Sequence, residues 1–204
     1  MRIAIFGGTF DPIHSAHLTV AREAADAFDL DRVLFIPAAN PPHKEATTPF
    51  EDRYKMVELA CREDVRFIAS RLEEGREKNY SIYTIQRVRE LEGLDAKLFF
   101  VIGADAFAEI GSWHRWEEVV ASVEFIVVTR PGHSYANPAG ARVHRLETVA
   151  LPVSSSEIRA ALAHGETPLD VLPHVMKYIR QHRLYGVTAT NEATQDRRPR
   201  RRTS

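Results

Sequence analysis

Five short runs of apolar, mostly β-branched residues, spaced along the chain by longer stretches of helical periodicity, limit what this sequence can fold into. They are Ile3–Phe6, Val33–Ile36, Val65–Ile68, Leu98–Ile102 and Phe125–Val128. Runs this short suit strands better than helices, and their lack of polar alternation marks strands covered on both faces. Between them, apolar residues recur at helical spacing at Leu18, Ala21, Ala25 and Phe28, at Tyr54, Val57 and Cys61, and at Ile82, Ile85, Val88 and Leu91. Two further helices are predicted over Glu157–Ala163 and Val171–Arg183. The alternation predicts a Rossmann-like, doubly wound α/β fold: a parallel sheet of about five to six strands, helices on both faces, and a small C-terminal helical part.

The 204 residues suit one domain, placed at 1–186, because from Val187 the hydrophobic period disappears. Residues 187–204 close on "RRPRRR" and read as a basic, disordered tail of charge +3, against −4 for the rest. The total of −1 gives no whole-molecule field to attract a polyanion, so no specific nucleic-acid partner is expected. The single cysteine, Cys61, has no second thiol to pair with and reads as a packed side chain. Neither a secretory leader nor a run of about 20 apolar residues is present, which predicts a soluble, cytoplasmic protein with no membrane contact.

Chemistry concentrates first in "AIFGGTFDPIHSAH". Gly7 and Gly8 end the first strand at the carboxyl edge of the sheet, where open α/β proteins bind ligands. Thr9 and Phe10 lead into a turn at Asp11 and Pro12, and the next helix offers free N–H groups and a positive dipole end suited to phosphate. His14 and His17, at i and i+3, fall on one side of that helix start. Zinc would need a third ligand that the segment lacks, so no metal site is predicted. Neither GxxxxGK[ST] nor GxGxxG occurs, which removes the common phosphate and dinucleotide loops. Packing glycines with two surface histidines is the bland alternative.

The motif "GGTFDPIHSAH" resembles the GGxFxPxHxGH signature of the bacterial nicotinate mononucleotide adenylyltransferases, within the nucleotidyltransferases of the HxGH type. Ala16 stands where the pattern has glycine. Other segments are similar to the family too. "IPAANPPHK" resembles its PxxxPPHK loop, which implies that Asn40, His43 and Lys44 meet the mononucleotide phosphate. "FFVIGADAF" resembles its IGxD segment, implying a ribose contact for Asp105 beside Gly103; as a bare sequence, Asp105 would read as a helix N-cap. Trp113 matches the residue that stacks on the pyridine ring, whereas Trp116 reads as covering the edge of the core. "VSSSEIR" resembles ISSTxIR, so that Ser155, Ser156 and Arg159 would hold the outer phosphates of ATP, while Ser154 and Glu157 have capping-box spacing. Thr84, in an imperfect SYT-type start, would meet the nicotinate end. The resemblance runs from Met1 to about Tyr185.

It implies transfer of the adenylyl group of ATP to nicotinate mononucleotide, a step of NAD biosynthesis, by direct in-line attack. ATP would be bound by Gly7, Gly8, Thr9, Phe10, His14, His17 and Gly103 together with Asp105, Ser155, Ser156 and Arg159, and catalysis would rest on His14, His17, Lys44 and Arg159. A phosphate monoester is mostly dianionic at neutral pH and needs no base; placement and charge neutralisation suffice. Mg2+ would arrive carried by ATP. Another acceptor, such as nicotinamide mononucleotide or phosphopantetheine, and a non-catalytic ATP sensor remain open alternatives.

Overall fold

The computed structural model describes residues 1–40, 46–75, 78–129, 135–148 and 153–187. Six strands form one sheet: β1 (Arg2–Gly8), β2 (Arg32–Pro37), β3 (Phe67–Ala69), β4 (Lys97–Gly103), β5 (Glu124–Thr129) and β6 (Arg142–Glu147). All neighbours are parallel and the order is β3-β2-β1-β4-β5-β6, the doubly wound arrangement expected from the alternation.

Alternate strand residues supply two separate cores, one per face. Ala4, Val33, Phe35, Phe99, Val101 and Ile126 point one way, packing with α1 (Ser15–Ala27), α2 (Phe50–Ala60), α6 (Ser155–Ala163) and α7 (Pro173–Gln181). Ile3, Ile5, Leu34, Leu98, Phe100 and Phe125 point the other way, toward α3 (Ser81–Glu92), α4 (Ala104–Ala108) and α5 (Trp116–Ser122). This explains why the runs carry no polar alternation: both sides of each central strand are inside.

Several expected boundaries move, each for a local reason. The third strand starts at Phe67 rather than Val65, because Asp64 turns the chain: its carboxylate accepts from the Arg66 N–H at 3.0 Å and its carbonyl from the Phe67 N–H at 3.0 Å. Val65 is left fully exposed. Strand β6, "RVHRLE", lies outside the five apolar runs because an edge strand needs few apolar residues; it pairs with β5 alone. Helix α7 begins at Pro173, a favoured first position, and stops short of Arg183, whose φ of 53° is left-handed. Leu91 is exposed, so the apolar stripe of α3 ends at Val88 before Gly93 takes φ 86°. Cys61 is buried in the 3-10 turn after α2, and burial pushes its thiol up to about 12, an inert packed group as expected.

Candidate active site

The crevice opens where the strand order reverses, between the carboxyl ends of β1 and β4. A cleft of about 710 Å³ lies there, bordered by Gly7, Gly8 and Gly103 on the sheet side and by Tyr80, Thr84, Trp113 and His114 opposite. The two adjoining glycines do different work. A Cβ on Gly7 would meet nothing within 4 Å, which leaves its backbone open to a ligand. One on Gly8 would lie 3.0 Å from the Phe10 ring. Phe10 is buried, so its side chain belongs to the core, packed against Phe6, Phe35 and His17.

His14 is the N-cap of α1 and His17 its third residue. Their rings lie against each other at a tilt of 36° with centroids 3.8 Å apart, so the sequence spacing does bring the two imidazoles together. The His14 N–H donates to His17 Nδ1 at 3.3 Å. That bond leaves the proton of a neutral His17 on Nε2, as a donor. His17 also meets Phe6 edge-on, with ring centroids 6.1 Å apart, and Phe6 lines the cleft; the histidine pair itself lies behind that residue and is not part of the cleft wall. His14 is 5 % exposed, and its Nδ1 is buried with no hydrogen-bond partner among the described residues. Burial lowers its pKa to about 4 against a smaller opposing pull from Asp170, so the ring is neutral at pH 7.

The α6 start takes the expected capping box: Ser154 Oγ accepts from the Glu157 N–H at 3.2 Å, and Glu157 Oε2 accepts from the Ser154 N–H at 2.9 Å. This start is fastened to the histidine loop. Ser155 Oγ donates to the Pro12 carbonyl at 3.0 Å, and Arg159 Nη1 to the Asp11 carbonyl at 2.7 Å, with Ser156 Oγ 3.3 Å from Nη2. Ser155 and Arg159 therefore place the loop, and Arg159 keeps further N–H donors for an anion.

At the far end of the cleft Thr84 is buried and donates to Glu73 Oε1 at 2.6 Å. Asn79 bridges Glu73 and Asn40, donating to the Glu73 carbonyl at 3.1 Å and accepting from the Asn40 N–H at 2.6 Å. Trp113 meets Phe100 edge-on, with centroids 6.0 Å apart, and Tyr80 packs on His114 at 4.3 Å. Trp116 sits partly buried against the core, as the sequence suggested. The N-cap of α4 is Gly103, with Asp105 exposed in the first turn; capping does not account for that aspartate. His43 and Lys44 lie outside the described residues, as does the tail beyond Val187.

Glu73, Asn79, Tyr80 and His114 were not legible as site residues, and neither was Arg53. Arg53 is 1 % exposed and donates to the carbonyls of Thr48 (3.0 Å), Thr9 (2.8 Å) and Ala38 (2.7 Å). It stitches the ends of β1 and β2 to the start of α2 from beneath the cleft. Among the described residues no group of three or more His, Cys, Asp or Glu could hold a metal ion, and no helix is long and apolar enough to cross a membrane.

Residues 5–161 match the family model described as cytidylyltransferase-like. A protein of Solibacter usitatus named "Probable nicotinate-nucleotide adenylyltransferase" is 56 % identical over 188 residues, covering 91 % of this chain and 100 % of that one. A Thermus thermophilus protein of the same name is 41 % identical over 187 residues, covering 91 % and 100 %. In fold, the chain is similar to the Plasmodium falciparum nicotinic acid mononucleotide adenylyltransferase complexed with APC, and to the same enzyme complexed with NaAD. Each gives a TM-score of 0.75 at 22 % identity, covering 93 % of this chain and 99 % of that one. With a doubly wound sheet, a glycine-edged crevice and a close histidine pair already in place, the chain belongs to the cytidylyltransferase-like nucleotidyltransferases and, among them, to the nicotinate-nucleotide adenylyltransferase family.

Proposed function

We propose that this enzyme transfers the adenylyl group of MgATP to nicotinate mononucleotide, giving nicotinate adenine dinucleotide and pyrophosphate. The observation that carries the reading is a cleft with the glycine ends of β1 and β4 on one side and an aromatic pocket at the start of α3 on the other, with the histidine pair one residue contact away behind Phe6. In this reading the open backbone at Gly7, the amides near Thr9, and the donors of His14 and His17 receive the ATP phosphates. Arg159 and the free N–H groups of α6, at Ser155 and Ser156, take the distal phosphates, and Asp105 and Gly103 the ribose. Asn40, with His43 and Lys44, takes the acceptor phosphate.

The pyridine end supports the acid form of the acceptor. The N-cap of α3, Tyr80, makes no side-chain cap bond, so the helix presents open N–H groups and its positive dipole end beside Ser81 and Thr84, which line the cleft. A carboxylate is the natural occupant. Edge-on packing against Phe100 leaves a Trp113 face for the cationic N-ribosylpyridine ring.

The chemistry then follows from charge. The acceptor phosphate is already dianionic, and the enzyme's task is to hold it in line with the α-phosphorus while neutralising the pyrophosphate that leaves. A neutral His14 donates a hydrogen bond without adding net charge, His17 offers its ring beside it, and Arg159 supplies the fixed cation. Mg2+ enters as part of the nucleotide substrate, held by phosphate oxygens and water. Steady-state pyrophosphate release with MgATP and either nicotinate or nicotinamide mononucleotide is the test. Strong preference for the acid is expected; equal use of both, or release with neither, sinks the reading.

A further inference from the structure

We propose that Asp11 is a positioning residue for adenylyl transfer, one that ties the histidine-bearing loop to the distal end of the acceptor loop through Thr47 and is itself held by Tyr185. The inference rests on the site assignment given under Proposed function. Asp11 is 2 % exposed and does not line the cleft, so it acts only through its neighbours. Its Oδ2 accepts from both the N–H (2.7 Å) and the hydroxyl (2.8 Å) of Thr47, 36 residues on. Its Oδ1 accepts from the Tyr185 hydroxyl at 2.7 Å, across 174 residues, and its own carbonyl accepts from Arg159.

These bonds converge from segments that flank different subsites. Asp11 precedes His14 by one turn. Thr47 follows the acceptor loop, whose other end is pinned to the same strand end: the Ala38 N–H donates to the Gly8 carbonyl at 2.9 Å, and Arg53 joins the carbonyls of Ala38 and Thr9. Both ends of the acceptor loop are thus fastened to the loop that would hold ATP. In-line attack depends on the distance between the two phosphates, and that distance is set by this fastening. Burial pushes the Asp11 carboxyl up, but the bonds from Tyr185 and Thr47 outweigh it and leave the group below its usual range, hence ionised. A buried carboxylate is costly, and here three donors from distant segments converge on it.

The test is a kinetic mutant cycle on the full chain, with urea unfolding run on every variant. Thr47→Val removes one bond and keeps the N–H; we expect KM for nicotinate mononucleotide to rise about tenfold, with KM for MgATP within about twofold of wild type. Asp11→Ala should lower kcat/KM about a hundredfold, and Thr47→Val should add nothing in that background. Asp11→Asn should recover most of the loss, since its amide oxygen accepts from Thr47 and its NH2 donates to the Tyr185 oxygen. If Asp11→Ala does not fold, the cycle of Thr47→Val with Tyr185→Phe replaces it, and non-additive kcat/KM effects are expected. Independent, multiplying effects overturn the proposal, as does a stability loss with unchanged kinetic constants. If the wild-type enzyme fails to use nicotinate mononucleotide, the acceptor assignment falls instead. The affinity of Asp11→Asn and Asp11→Ala for an unreactive MgATP analogue then decides: weakening in Asp11→Ala alone supports the proposal, and equal affinities overturn it.

Discussion

Protonation of His14 should make this fold unusually sensitive to mild acid. The ring is 5 % exposed at the N-cap of α1, its Nδ1 has no partner among the described residues, and the His17 ring lies against it, with centroids 3.8 Å apart. Burial lowers its pKa to about 4 from 6.5, the nearby charge of Asp170 only partly opposing. Between those values the unfolded chain binds a proton at His14 that the folded chain does not. Stability attributable to His14 is therefore complete above about pH 6.5, falls as pH drops, and levels off below about pH 4. Integrating the difference from about pH 7.5 to about pH 4.5 gives a loss of about 2–3 kcal/mol from this one residue. Urea unfolding, followed by tryptophan fluorescence at four pH values, measures it for the wild type and for His14→Gln, whose amide does not titrate. The wild type should lose about 2–3 kcal/mol more than the variant over that range. Parallel losses would mean that His14 protonates freely in the folded state and that the tight cap geometry is not what holds it neutral.

Five substitutions test other parts of the argument. His17→Ala removes the ring that the proposed reading places on the ATP phosphates, and should cost about 2.7–4 kcal/mol of transition-state stabilisation, read as kcat/KM in the pyrophosphate assay; near wild-type turnover would contradict the assignment. Gly8→Ala forces a methyl to within 3.0 Å of a Phe10 ring already packed by Phe6, Phe35 and His17, so unfolding should become easier by about 1–3 kcal/mol, whereas Gly7→Ala should fold like wild type and raise KM for MgATP. Thr84→Val takes from the buried Glu73 carboxylate its hydroxyl donor and should destabilise by about 1–3 kcal/mol, with a raised KM for the mononucleotide in the same preparation. Arg53→Met leaves three carbonyls without their shared donor and Asp11 without a neighbouring cation; thermal and urea unfolding should both report a loss of about 3–5 kcal/mol.

The parallel doubly wound class, the two-faced sheet and the ligand edge were legible because they follow from local periodicity, whereas the order of the strands came only with the structure. Short β-branched runs alternating with helical stripes leave a parallel doubly wound sheet as the natural solution, and a glycine pair at the end of β1 marks its ligand edge. The histidine pair was legible for the same reason: three residues of spacing at a helix start place two side chains together whatever the rest of the chain does. The edge strand β6 escaped because it carries only two apolar residues, and α5 because seven residues are too few to show a helical period.

What only the tertiary structure decided is which groups are spoken for. In the sequence Ser155 and Arg159 look like plain phosphate donors, and Asp11 like half of a turn. In the fold, Ser155 and Arg159 also grip the carbonyls of Pro12 and Asp11, and the Asp11 carboxylate gathers Thr47 and Tyr185 from 36 and 174 residues away. Nor does any local pattern mark Arg53 as the donor to three carbonyls, or Gly8 as room for an aromatic ring. Periodicity along a chain records which side of an element is buried. The identity of a buried polar group's partner depends on loops meeting in three dimensions, and no spacing in the sequence encodes that meeting.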